Sequence, residues 1–76
     1  MTGNQLRAAR SLIGWSQAQV AEKASLSVPT VKRAEGQGAI AASADAVSAI
    51  RAALEAAGVV FLPENGNGPG VALRKE

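Results

Sequence analysis

Helix-start signals recur along this chain at Thr2, Ser16, Ser27 and Ser43, and glycines at positions 14, 36 and 58 stand where the intervening segments would end. No helix built to that rhythm is long. Helices of roughly two to four turns are marginal by themselves in water, so they have to pack against one another through apolar faces. At 76 residues the chain is expected to form one small domain, burying on folding only about 60% of the surface that an extended chain exposes. It has no cysteine, hence no disulfide to reinforce a small core, and a partner chain becomes an expectation.

The first segment opens with Thr2-x-x-Gln5, the spacing of a capping box, and carries Leu6, Ala9 and Ile13 on one side before Gly14; this predicts a helix from about residue 3 to 13. Ser16-x-x-Gln19 is a second capping box, with Trp15 placed to staple onto Val20, and predicts a helix from 17 to 24. Ser27 caps the third, from 28 to 35, where Pro29 in the first turn has no intrahelical hydrogen bond to lose. Val31 and Ala34 would face inward there, Leu26 would fill the gap before them, and Gly36 and Gly38 would stop the helix. The fourth starts after Ser43 and holds Val47, Ile50, Leu54 and Ala57 in one stripe up to Gly58.

Beyond it, Val59-Val60-Phe61-Leu62 and Val71-Ala72-Leu73-Arg74 are β-prone runs around a segment with two Asn-Gly pairs, Asn65-Gly66 and Asn67-Gly68, which is the pattern of a hairpin. A lone hairpin is barely stable in water, so it must lie on the helices or pair with the hairpin of a second chain. The expected fold class is mainly α: four short helices including a helix-turn-helix, plus a C-terminal β-hairpin or β-arm.

The absence of both cysteine and histidine excludes zinc fingers, haem and iron–sulfur ligation, and nucleophilic catalysis by a Ser/His or Cys/His pair. Acid–base chemistry would rest on six scattered carboxylates, so no enzyme activity, catalytic residue, cofactor or metal is expected. The longest apolar run, residues 59 to 62, is far too short to span a membrane, and the start lacks the pattern of a secretory signal. The expected location is cytoplasmic.

The net charge of +2 is unevenly divided: residues 1 to 36 carry +3 and residues 37 to 76 carry −1. The first half is therefore the candidate anion-binding face. Two helices of about eight residues joined by a three-residue turn, the second presenting Thr30, Lys32 and Arg33 outward, make a helix-turn-helix unit. A major groove about 12 Å wide accepts one such helix, while helix N-termini at Ser16-Gln17 and Ser27-Val28 can aim backbone N–H groups at phosphates. Glu22, Lys23, Arg7 and Arg51 read as solvated helix surface, Trp15 as a core anchor, and Arg74-Lys75 as either a DNA contact or a solubilising end. The Asn-Gly stretch lacks the Gly-Lys-Ser/Thr of a phosphate loop.

Leu6-Arg7-x-Ala9-Arg10, Gly14-Trp15-Ser16-Gln17-x-x-Val20-Ala21 and Ser27-x-x-Thr30-Val31-x-Arg33-x-Glu35 together resemble the Cro/C1-type (XRE family) helix-turn-helix domain of phage repressors and bacterial regulators, over roughly residues 4 to 57. The resemblance implies a lambda-repressor-like helical domain that binds operator DNA, usually as a symmetric dimer, through its third helix. It assigns Gln17 to a phosphate and to bracing the first base contact, and Ser27, Val28, Pro29, Thr30, Lys32 and Arg33 to the recognition positions. Arg33 is the expected base reader, since a guanidinium pairs bidentately with guanine O6 and N7, and Lys32 a phosphate contact. Arg10 and Glu35 match a structural ion pair.

Two departures stand out: Ser25 replaces the usual turn glycine, and Val28 and Pro29 replace hydrogen-bonding side chains, shifting weight to shape readout. The expected organisation is a DNA-binding domain over residues 1–58 and a dimerisation arm over residues 59–76, with homodimer contacts through residues 59–74. The expected function is a sequence-selective transcriptional regulator, a repressor by default, acting as a homodimer on double-stranded DNA. The competing expectation is a protein-interaction module, an antitoxin-like or adaptor subunit with secondary DNA binding.

Overall fold

The computed structural model describes residues 3–36, 42–62 and 70–74. These form four helices, α1 (Gly3–Leu12), α2 (Gln17–Ala24), α3 (Val28–Ala34) and α4 (Ala44–Ala56), followed by two strands, β1 (Val59–Leu62) and β2 (Gly70–Leu73). None of these helices is long and apolar enough to cross a membrane. Thr2, Gly38 and both Asn-Gly pairs lie outside the described residues, and so do the expectations placed on them.

Serine caps set three of the helix starts. Ser16, Ser27 and Ser43 are extended, and each side chain accepts a hydrogen bond from the backbone N–H three residues on, satisfying a donor the helix cannot. At Ser16 the box is complete: the Gln19 Oε1 accepts from the Ser16 N–H at 2.7 Å. The helix ends are equally local. At Gly14 (φ +69°), the Gly14 N–H donates to the Ser11 carbonyl at 3.2 Å and the Trp15 N–H to the Arg10 carbonyl at 3.1 Å. That is a Schellman motif. α2 ends the same way on Ser25 (φ +57°), with the Ser25 N–H on the Glu22 carbonyl at 3.2 Å and the Leu26 N–H on the Ala21 carbonyl at 2.8 Å. A serine thus takes the left-handed conformation that glycine adopts without steric penalty.

The core is one cluster drawn from all four helices and β1. Leu6, Val20, Val31, Ile50, Leu54 and Val59 are its largest fully buried side chains, each contributing about 1.5–3 kcal/mol through burial. Trp15, Leu26, Val28, Val47, Phe61 and Val71 pack around it, half-buried. On α4 the expected Ile50 and Leu54 are buried, Val47 packs half-buried on the core and Ala46 joins them, whereas Ala57 is the helix C-cap and is exposed, because the stripe rotates away from the core in the last turn. Ile13 lies just past the end of α1, and Glu35 is the C-cap of α3, one residue short of the sequence expectation in each case.

β1 and β2 pair antiparallel, with Val59 opposite Leu73, Phe61 opposite Val71 and Leu62 opposite Gly70. β2 therefore begins one residue earlier than its apolar run suggests. The Arg74 N–H still donates to the Gly58 carbonyl at 2.7 Å, so the pairing runs on past Leu73. The hairpin packs on α1 and α4, and Val59, only 1% exposed, is part of the core. The described strand residues, 59–62 and 70–73, thus pack on the helical body. The opposite face carries Val60 and Leu62, both exposed.

Candidate nucleic-acid interface

Alternation of inward and outward residues along α3 creates two faces. Val31, Ala34 and Glu35 are buried, while Pro29 and Lys32 are exposed and Thr30 and Arg33 half-exposed. Val28 is half-buried against the core, so of the two apolar residues in the first turn only Pro29 stands out into solvent.

The outer face has internal order. The Ser27 Oγ accepts from the Thr30 N–H at 3.3 Å and lies 2.8 Å from the Thr30 Oγ1, while the Arg33 Nη2 donates to that same Thr30 oxygen at 3.2 Å. Ser27, Thr30 and Arg33, three residues apart, form a polar ladder about 9 Å long at the α-helical rise. Lys32 lies outside it, an exposed cation in the last turn of α3.

Behind this face a buried network fixes α3 against the rest of the molecule. Glu35 is 3% exposed and meets the Arg10 Nε at 2.9 Å and Nη2 at 3.3 Å, a bidentate pair. The Gln17 Nε2 donates to the Glu35 Oε1 at 3.0 Å, and the Arg10 Nη1 to the Trp15 carbonyl at 3.1 Å. Four segments thus meet around the Arg10–Glu35 pair: α1, the turn before α2, the first residue of α2, and the end of α3. Gly3 completes the seam. A Cβ there would sit 2.7 Å from the Glu35 carbonyl carbon, so only glycine allows α1 this close to the end of α3.

Gln17, expected at a phosphate, has its amide turned onto Glu35, so the residue that opens α2 is coupled to the end of α3. Because Arg10 and Glu35 neutralise each other, the positive balance of the first half rests on Arg7, Lys23, Lys32 and Arg33 against Glu22 at the surface. Of the remaining cations, Arg51 pairs with Glu55 at 3.3 Å and lies 5.5 Å from the Phe61 ring centre. Arg7 bonds Asn4, and Arg74 Nη2 donates to the Glu55 carbonyl at 3.2 Å, tying the hairpin to the end of α4. Arg74 therefore serves the fold.

One buried polar residue escaped sequence reasoning. Gln5, 7% exposed, donates from Nε2 to the Gly70 carbonyl at 3.2 Å and the Leu62 carbonyl at 3.4 Å, clasping the loop end of the hairpin. Its position three residues after Thr2 had suggested a capping role instead. The one available sign was its place four residues before Ala9, on the buried side of α1. An open depression lined by Trp15, Lys23, Ala53, Ala56 and Ala57 lies between α2 and α4, with no α3 residue and no carboxylate in its wall. No protein-family model matches the chain, and no curated protein is significantly similar to it.

Proposed function

We propose that this protein is a sequence-selective regulator of transcription that binds double-stranded DNA through α2 and α3 acting as a helix-turn-helix, with α3 in the major groove. The observation that carries the reading is the outer face of α3. Ser27, Thr30 and Arg33 form an ordered polar ladder beside the exposed Lys32, while the reverse side is anchored by Val31, Ala34 and the buried Glu35. An α-helix about 10–12 Å across fits the groove, and its first turn approaches base edges. Arg33 reads a base, Lys32 holds a phosphate, Ser27, Pro29 and Thr30 line the approach, and Gln17 braces α3 from the start of α2. Few direct base contacts are on offer, so DNA shape contributes to selectivity.

The active unit is a homodimer that meets through the outer face of the hairpin and sets two α3 helices about 34 Å apart on one side of the duplex. Support comes from Val60 and Leu62, exposed on a face with no charged residue in either strand; such strands usually carry protective charge when they stay unpaired. Binding as a dimer represses by occluding the site. The same exposed apolar face supports the second reading, a module that grips another protein.

Titration of genomic duplex fragments tests the assignment. Arg33→Ala loses about 1–3 kcal/mol at the preferred site and relaxes base preference, whereas Lys32→Ala weakens all duplexes alike and lowers the salt slope by about one. Equal effects of the two substitutions contradict the roles. Leu62→Lys shifts sedimentation to the monomer with the helical signal retained. No affinity for any duplex at low salt, with one stoichiometric protein partner recovered, decides for the second reading.

A further inference from the structure

The Ser27–Thr30–Arg33 ladder carries an inference that rests on the DNA-binding reading above and deepens it. We infer that Thr30 is a positioning residue: its hydroxyl, held by Ser27, turns the Arg33 guanidinium back along α3 and makes guanine the base that this arginine selects.

Hydrogen-bond accounting supports it. Thr30 Oγ1 accepts from Arg33 Nη2, and one proton is shared between the Thr30 and Ser27 hydroxyls, while Ser27 Oγ also accepts from the Thr30 N–H. Whichever hydroxyl donates to the other, one O–H and one lone pair of the two remain for a ligand. Of the five guanidinium N–H groups one is engaged with Thr30, which leaves four. The ladder thus presents many donors and a single acceptor. In the major groove guanine shows two adjacent acceptors, O6 and N7, whereas adenine pairs its N7 with a donor that would oppose the guanidinium.

The anchoring also restricts the arginine. A guanidinium on a flexible stem loses rotamer freedom when it binds, and a side chain already held by Thr30 gives up less of it. Thr30 is itself fixed twice to Ser27, whose backbone is set by the Schellman turn through Ser25 and Leu26. Base choice at this position is therefore coupled to the turn between α2 and α3.

The experiment uses the full chain and the duplex it enriches most from a randomised library, with and without 7-deazaguanine at each guanine of the enriched site. Wild-type protein loses roughly tenfold in affinity when the critical N7 is removed, the scale of one good bidentate contact. Thr30→Val, nearly isosteric, loses that sensitivity and tolerates other bases, while Thr30→Ser restores it. The three proteins melt at similar temperatures, so the comparison reads base selection and not folding. Retained 7-deazaguanine sensitivity in Thr30→Val overturns the positioning role. DNA binding by the wild type without guanine preference overturns the base assignment while the proposed function stands. Absence of any DNA binding removes that function and this inference together.

Discussion

Residues 14–16 and residues 25–27 form turns of the same construction. Each has a left-handed residue, Gly14 or Ser25, then an apolar residue packed on the core, Trp15 or Leu26, then an extended serine N-cap. What differs is where the polar groups go. In the first turn the Ser16 and Gln19 side chains satisfy each other's backbone N–H groups, and Arg10 closes on the Trp15 carbonyl. In the second, Ser27 bonds Thr30 and Thr30 bonds Arg33, a chain that leads out along an accessible helix face. One local geometry serves architecture in the first case and presentation in the second, and the residue three positions after the cap, glutamine or threonine, makes the difference.

The largest effect is expected at the buried pair that supports the first turn. Arg10→Ala leaves Glu35 with an uncompensated charge in a site 3% exposed, and lowers unfolding free energy by about 3 kcal/mol. Urea denaturation measures it, and the double substitution Arg10→Met with Glu35→Leu should recover most of the loss. A small loss in Arg10→Ala would mean that Gln17 alone holds the carboxylate.

The left-handed residues come next, with opposite signs. Gly14→Ala introduces a side chain at φ +69° and destabilises by about 1–2 kcal/mol although nothing stands within 4 Å of the new Cβ, so the loss is purely backbone strain. Ser25→Gly relieves the same strain and stabilises by about 0.5–1 kcal/mol, net of the added freedom of the unfolded chain. Unchanged stability in both would dissolve the likeness between the turns.

The smallest effects sharpen the contrast. Ser16→Ala and Ser27→Ala each cost about 1 kcal/mol in thermal unfolding through the lost cap. Under the proposed function the two part in DNA binding: Ser27→Ala also weakens base preference, because Thr30 loses its hydroxyl partner, and Ser16→Ala leaves preference intact. Parallel behaviour in both assays would show that the outward ladder has no recognition role.

Legibility followed the range of the interactions. The bounds of α2 and the caps at Ser16, Ser27 and Ser43 were readable because every bond that sets them closes within three to five residues. The Arg10–Glu35 pair was legible through the resemblance, and the geometry adds the two neighbours that spacing did not reveal, the Gln17 amide and the Trp15 carbonyl. The resemblance assigned Val28 to a recognition position, yet the first turn of α3 rests partly on the core and Val28 packs half-buried against it. The hairpin was anticipated as a pairing of two runs, but two docking partners were open to it; Val59 settles where its inner face goes.

By itself, then, the sequence determined the described helix ends to within a residue, which residues are apolar enough to bury, and which cations share the third helix. Caps, Schellman turns and helical periodicity are written in neighbouring residues, so no distant contact is needed to read them. Tertiary structure decided that the strands complete the helical core, that Gln5 clasps their loop end across 57 and 65 positions, and that Gln17 turns inward to Glu35. A side-chain amide carries no local mark of its partner. It bonds whatever polar group the packing leaves within reach, and that is fixed only when the apolar faces have met.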